Sequence, residues 1–270
     1  MPAYRLAIPV FLMLALSAYL TYWVNERWSV LIIISLIILV AGYILMPQIN
    51  WWWWKRYPPD ISKELVPLLD KFHPYYRTLT EEEQREFRKR LFLFMQGHNY
   101  MPQVTETVPQ DVQLMIAAAP VAMTFRQEDF LFPHFENIVT YPHIFPSPQY
   151  PEQFHASEVY APDGVLMFCM EHVVRGFTDP VNFLNPSWYE YAKVFRLTNP
   201  TFDYGTWEEA DWIALERISR FSKDALERWV GLKDLDITAM AIAFFFIFPQ
   251  AFRRELPEKY LTLQTVFHQN

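Results

Sequence analysis

The chain has no pair of histidines four residues apart. Its seven histidines are His73, His98, His134, His143, His155, His172 and His268, and none is placed to offer two imidazoles to one metal from a single helical face. One cysteine, Cys169, occurs in 270 residues; that excludes an intrachain disulfide and fits a reducing compartment. Glycine is scarce, with six residues, and none falls in a loop pattern that cradles phosphate. Lysine and arginine form no cluster, and the formal net charge is −7, which argues against nucleic-acid binding. No internal repeat is visible. Few glycines beside 18% aromatic residues imply a densely packed, helix-rich body.

What is present begins with two apolar runs. Leu6–Val24 and Trp28–Met46 each span 19 residues without a charge, enough to cross a bilayer core as helices. The second run holds twelve Leu, Ile and Val residues, which favour insertion by about 4–7 kcal/mol. Only Asn25, Glu26 and Arg27 separate the runs, so a tight transmembrane hairpin is expected over residues 1–50, with spans at about 6–24 and 28–46. Trp51-Trp52-Trp53-Trp54-Lys55-Arg56 follows. Indoles favour the headgroup layer and cations favour the cytoplasmic side, so both termini are expected there, with the lipid bilayer as a partner. Four consecutive indoles cannot share one helical face; they form an interfacial belt or dock a membrane protein partner. A signal peptide cleaved near Ala15-Leu16-Ser17-Ala18, leaving one span, is the alternative for the first run.

Residues 51–78 read as an interfacial linker with a short helix, punctuated by Pro58, Pro59, Pro67 and Pro74. Thr80-Glu81-Glu82-Glu83 is a capping box, and its helix carries Phe87, Leu91 and Phe94 inward until Gly97 stops it. A second helix is expected from Asp111 to about Phe125. Strands are expected at Asn137–Tyr141 and Val165–Cys169, then a helical turn from Glu171 to Arg175 closed by Gly176. Asn185 followed by Pro186 predicts a capped helix bearing Tyr189, Glu190 and Lys193. A second capping box at Thr206–Glu209 predicts one helix to about Val230. An apolar helix from Asp236 to Phe248 and a tail helix from Pro257 to Phe267 complete an α+β order of few strands and many helices. His155 and Glu158, three apart, fall in a proline-punctuated stretch that reads as loop. Cys169 reads as a buried strand residue without a basic activator. Ser157 and Ser219 show no nucleophile-elbow context.

Several blocks, in order, resemble the Mlc titration factor A (MtfA-like) family of zinc aminopeptidases. They are Leu79-Thr80-Glu81-Glu82, Ile116-Ala117-Ala118-Ala119 with Thr124-Phe125, and Val139-Thr140-Tyr141-Pro142-His143-Ile144-Phe145. Gly164–Met167 through Glu171–Gly176, Phe245-Phe246-Ile247-Phe248-Pro249 and Leu256–Tyr260 continue the series. The resemblance covers roughly residues 75–267. It implies a zincin-like, metallopeptidase-type soluble domain over 79–270, preceded by the hairpin.

By position, the family's two histidine ligands fall on Tyr189 and Lys193. Its general base falls on Glu190, and its third ligand on or near Ala243. The motif H-E-F-A-H thus reads Tyr-Glu-Tyr-Ala-Lys, and the expectation is no catalytic residue, no metal and no cofactor, with these four positions vestigial. A protonated lysine 4 Å from a dication opposes it by about 8 kcal/mol at an effective dielectric near 20, and Lys193 is expected to pair with Glu190 instead. The expected function is a membrane-anchored, catalytically inactive relative serving as a binding or scaffold subunit of a membrane complex. It is expected in the bacterial inner membrane, with the soluble domain cytoplasmic. Alternatives are an active membrane-bound peptidase with a non-standard site, and a sensor that binds a peptide or regulator.

Overall fold

The computed structural model describes residues 2–267, without the side chain of Pro2; His268 lies outside the described residues. The chain divides into two compact units, Met1–Pro59 and Asp60–Asn270.

In the first unit, α1 (Pro2–Trp23) and α2 (Ser29–Ile44) pack together. A 3-10 turn at Glu26–Trp28 joins them, and the Asn25 side chain accepts from the Arg27 N–H at 2.9 Å. The segments Ala3–Trp23 and Glu26–Ile44 are long and apolar enough to cross a membrane. The buried hydroxyls of Ser17 and Ser35 donate to the carbonyls of Leu14 and Leu31, so neither burdens an apolar surround with an unmet donor. Pro47 sits in the first turn of α3 (Met46–Arg56), where its missing N–H has no acceptor to satisfy. The four tryptophans continue this helix. Trp52 and Trp53 are exposed, Trp51 and Trp54 half-buried, and the Lys55 ammonium stands 5.3 Å from the Trp51 ring centroid.

Residues 51–78 are shared between the units. The second begins at Asp60, and its first helix, α4 (Val66–Phe72), buries Leu69 completely, as a following 3-10 turn buries Tyr76. The capping box is present in full at the start of α5 (Glu81–Gly97), which buries Phe87, Leu91 and Phe94 completely. The sheet comprises β1 (Asn99–Pro102), β2 (Asn137–Tyr141), β3 (Ser157–Tyr160) and β4 (Val165–Cys169), in the order β1-β2-β4-β3. β1, β2 and β4 are parallel, and β3 pairs antiparallel to β4. Between β1 and β2 runs α6 (Gln110–Met123). This helix-rich α+β order agrees with the sequence.

Four local expectations need correction. Gly176 does not end a helical turn: it lies inside α7 (Met170–Thr178). A β-carbon there would meet the Asn185 nitrogen at 2.3 Å and the Leu184 carbonyl carbon at 2.5 Å, so glycine is needed for backbone approach. The cap after Thr206 forms two residues later, where Glu208 and Asp211 make the reciprocal bonds. The expected single helix is two, α9 (Trp212–Ser219) and α10 (Lys223–Val230), parted at Arg220 in the left-handed region at φ +66°. Ser222 then caps anew by accepting from the Ala225 N–H. His155 and Glu158 do not lie on a plain loop; His155 forms a bridge with Phe145 and Glu158 is in β3.

The helix that bears the candidate site, α8 (Pro186–Thr198), starts as expected, with Asn185 accepting from the Ser187 N–H at 3.0 Å. Asn185 also donates to the Met115 carbonyl, Ser187 to the Ile116 carbonyl, and Trp229 to the Leu184 carbonyl. These three bonds fix α8 against α6 and α10. α11 (Ile237–Ile247) packs on α8, and α12 (Pro249–Glu255) and α13 (Pro257–Phe267) close the unit. Gly176→Ala is expected to cost about 3 kcal/mol or more through this crowding. Denaturant titration of the solubilised chain would measure it, and a loss under about 1 kcal/mol would mean that α7 can move aside.

Two buried histidines set the acid response. His73 lies among the rings of Phe87, Phe177 and Trp188, and burial lowers its pKa to about 3. His98 stacks on Phe94 with centroids 3.7 Å apart, and burial lowers it to about 4. The unfolded chain protonates both near pH 6.5, so stability is complete above that pH and falls as pH drops below it. From pH 7 to pH 5 the loss is expected to be about 3–4 kcal/mol, a fall in Tm of about 6–16 °C. An unchanged Tm over that range would mean that these imidazoles are not held neutral.

Candidate functional site

The four positions singled out from the sequence lie on two helices in contact, Tyr189, Glu190 and Lys193 on α8 and Ala243 on α11. Glu190 and Ala243 are fully buried and Tyr189 nearly so. A quarter of the Lys193 side chain is exposed.

Glu190 is held from two sides. The Ser157 hydroxyl donates to its Oε1 at 2.7 Å, and the Lys193 ammonium stands 2.5 Å from its Oε2. The expected Glu190–Lys193 pair is therefore present, one helical turn apart. Glu190 is not a solvated surface carboxylate, however: water reaches none of it. The Lys193 ammonium also lies 4.6 Å from the Tyr189 ring centroid, within cation–π range. Burial disfavours the ammonium, but Glu190 and Tyr189 outweigh it, and the Lys193 pKa is raised. The lysine is thus a cation at neutral pH.

Tyr189 points its oxygen to the start of α11. It accepts from the Asp236 N–H at 2.9 Å, while the Asp236 carboxylate caps α11 through the Ala239 N–H and takes the Arg196 guanidinium at 2.5 Å. Burial pushes the Tyr189 phenol up to about 12, so it stays neutral. Lys193, Arg196, Leu197, Pro200, Tyr204 and Asp236 line a depression of about 490 Å³ beside the pair. Close by in the charge network is Glu158. Burial opposes its ionisation, but hydrogen bonds from His155 and Ser147 and the charge of Lys193 prevail, and its pKa is lowered. His155 Nε2 lies 3.1 Å from the Glu158 carboxylate, and both are buried.

These donors do not fit a zinc ion. The Tyr189 oxygen is engaged with a backbone N–H, the Lys193 nitrogen holds its proton, and Ala243 offers a methyl group. Only Glu190 could ligate, and it is committed to Ser157 and Lys193. Among the described residues no group of three or more His, Cys, Asp and Glu side chains is placed to hold a metal. The arrangement can hold charge in a buried place and lock two helices; it offers no free base.

The sequence marks Ser157 only as a serine without nucleophile-elbow context and Asp236 only as a helix start, and it does not single out Arg196. Ser157 reaches Glu190 from β3, 33 residues away, with no local motif to signal it. The reading of Cys169 also needs a correction: His172 Nδ1 lies 3.1 Å from its sulfur. Burial nevertheless raises the thiol and lowers the His172 imidazole, which favours a neutral pair. Ser219 is structural: its hydroxyl donates to the Leu215 carbonyl and accepts from the Phe221 N–H.

Comparison with known families finds a match over part of the chain. The family model of glucose-regulated metallo-peptidase M90 matches residues 50–164, which bears out the resemblance to MtfA-like metallopeptidases over that stretch. The matched residues run from α3 to the turn before β4, and α8 and α11 lie beyond them. No curated protein and no solved structure matches the chain.

Proposed function

We propose that this chain is a membrane-anchored, non-catalytic relative of the metallopeptidases that works as a binding or scaffold subunit of a membrane complex. The observation that carries the proposal is the Glu190–Lys193 ion pair, at the place where the family resemblance would put a general base and a zinc ligand. A base whose carboxylate is neutralised by a fixed ammonium, and which water does not reach, cannot activate a water molecule. In this reading Tyr189 and Arg196, both bound to Asp236, join α8 to α11 as a metal with ligands on both helices would. Anchoring rests on the two apolar helices. In this reading the membrane is the bacterial inner membrane and the soluble unit is cytoplasmic; the orientation is supported by the cations Arg5, Lys55 and Arg56 against Arg27 alone in the connection.

Native purification from membranes, with metal analysis and aminopeptidase assay of the same sample, tests this. Less than about a tenth of a zinc per chain, no cleavage, and a stable integral-membrane partner are expected. Stoichiometric zinc or cleavage that Glu190→Gln abolishes would refute it. A transient soluble partner alone would point instead to a sensor of peptides or regulators.

A further inference from the structure

A concentration of positive charge in the second unit lies in a pocket away from α8. Arg77 follows Tyr76 in its 3-10 turn, Arg217 is on α9, Arg220 parts α9 from α10, and Arg254 is on α12. All four line one open pocket of about 620 Å³, with Gln250 among the other lining residues and no acidic side chain among them. Ile218, Ile247 and Phe248 form an apolar wall. Arg254 is paired with Glu255 at 3.1 Å. Among the described residues, Arg77, Arg217 and Arg220 form no ion pair. This concentration stands out in a chain of net charge −7.

A second, independent observation marks one of the four. Arg220 occupies the position after α9 at φ +66°, where glycine is the residue of lowest strain. A side chain kept at such a position needs a compensating reason. Its guanidinium, added to the other three, supplies one.

We propose that this pocket binds a phosphate-bearing anion with at least two adjacent phosphate groups, beside an apolar moiety that rests on Phe248 and Ile247. Guanidinium forks match phosphate oxygens in pairs and stay charged at any physiological pH. The volume is that of a small-molecule site. Four cations facing one cavity repel each other until an anion enters, so a multiply charged ligand gains most. The same chemistry can arrive as a soluble polyphosphate or as the headgroup of a lipid diphosphate.

The test uses the full chain in phosphatidylcholine nanodiscs, titrated calorimetrically with inorganic pyrophosphate. One saturable site is expected, weakened as salt rises, and weakened about tenfold or more by Arg217→Gln and by Arg220→Gly separately. Arg220→Gly should also raise Tm by about 2–4 °C through relief of strain, so its loss of binding would not reflect a loss of fold. Arg85→Gln, an exposed change elsewhere, should leave binding unaltered. Competition when a lipid diphosphate, such as diacylglycerol pyrophosphate, is added to the disc would assign the ligand to the lipid, and unchanged binding would assign it to a soluble phosphate. Absence of pyrophosphate binding, or equal binding by all variants, would overturn the proposal.

Discussion

Lys193→Met should lower the stability of the second unit by about 3–5 kcal/mol, a fall in Tm of about 6–20 °C. The effect comes from the partner left behind. Glu190 is fully buried, and without the ammonium it keeps only the Ser157 hydroxyl. An uncompensated carboxylate in that setting either unfolds the surround or takes up a proton. The double change Glu190→Gln with Lys193→Met removes the charge as well as its partner, so much of the stability should return. The pair's dependence on pH has a definite sign. Because the folded lysine has a raised pKa, its contribution is complete below the unfolded value near 10.5 and is lost as pH rises through the folded one. Thermal melts of wild type and the two variants at pH 7 and above about pH 10.5 would measure this. A single variant within about 1 kcal/mol of wild type would show that water enters and solvates Glu190.

Rebuilding the metal site should have an even larger effect on composition. In the combined variant Tyr189→His, Lys193→His and Ala243→Glu, two imidazoles would stand at i and i+4 on α8, with a carboxylate from the packed helix α11. That set suits catalytic zinc, three protein ligands and one open position. Bound metal is expected to rise from none to about one zinc per chain, and Glu190, freed from its ammonium, would face the metal-bound water. Plasma emission analysis of the purified variant gives the reading. A folded variant that stays free of zinc would show that α8 and α11 do not stand in the metallopeptidase register, and the positional likeness at Tyr189, Glu190, Lys193 and Ala243 would fall with it.

What could be read in the sequence followed the range of each signal. Thr80 and Glu83, Asn185 and Pro186, and Asp236 announce helix starts through bonds made within three residues, and all three helices begin there. The Glu190–Lys193 pair was legible for the same reason, since i and i+3 share a helical face. β1 and β3 were not. Each has four residues; the partner of β1 lies far off in sequence, Asn99 opposite Asn137, while β3 pairs with the adjacent β4, Tyr160 opposite Val165, at the end of a proline-punctuated stretch that reads as loop. The role of Ser157 was hidden with β3. His172 escaped notice because Cys169 ends a strand while His172 lies in the following helix, and a three-residue spacing across that junction has no fixed geometry. The break at Arg220 runs against the usual glycine signal, so the sequence predicts a single helix there.

The polar joint between α8 and α11, made by Tyr189, Arg196 and Asp236, is encoded in one chain. Such a joint exists as soon as the polypeptide folds and needs no loading step, no delivery protein and no metal reserve. Its abundance follows translation. In a cell starved of zinc, or washed with a strong chelator, this protein should hold its shape while zinc-dependent neighbours fail.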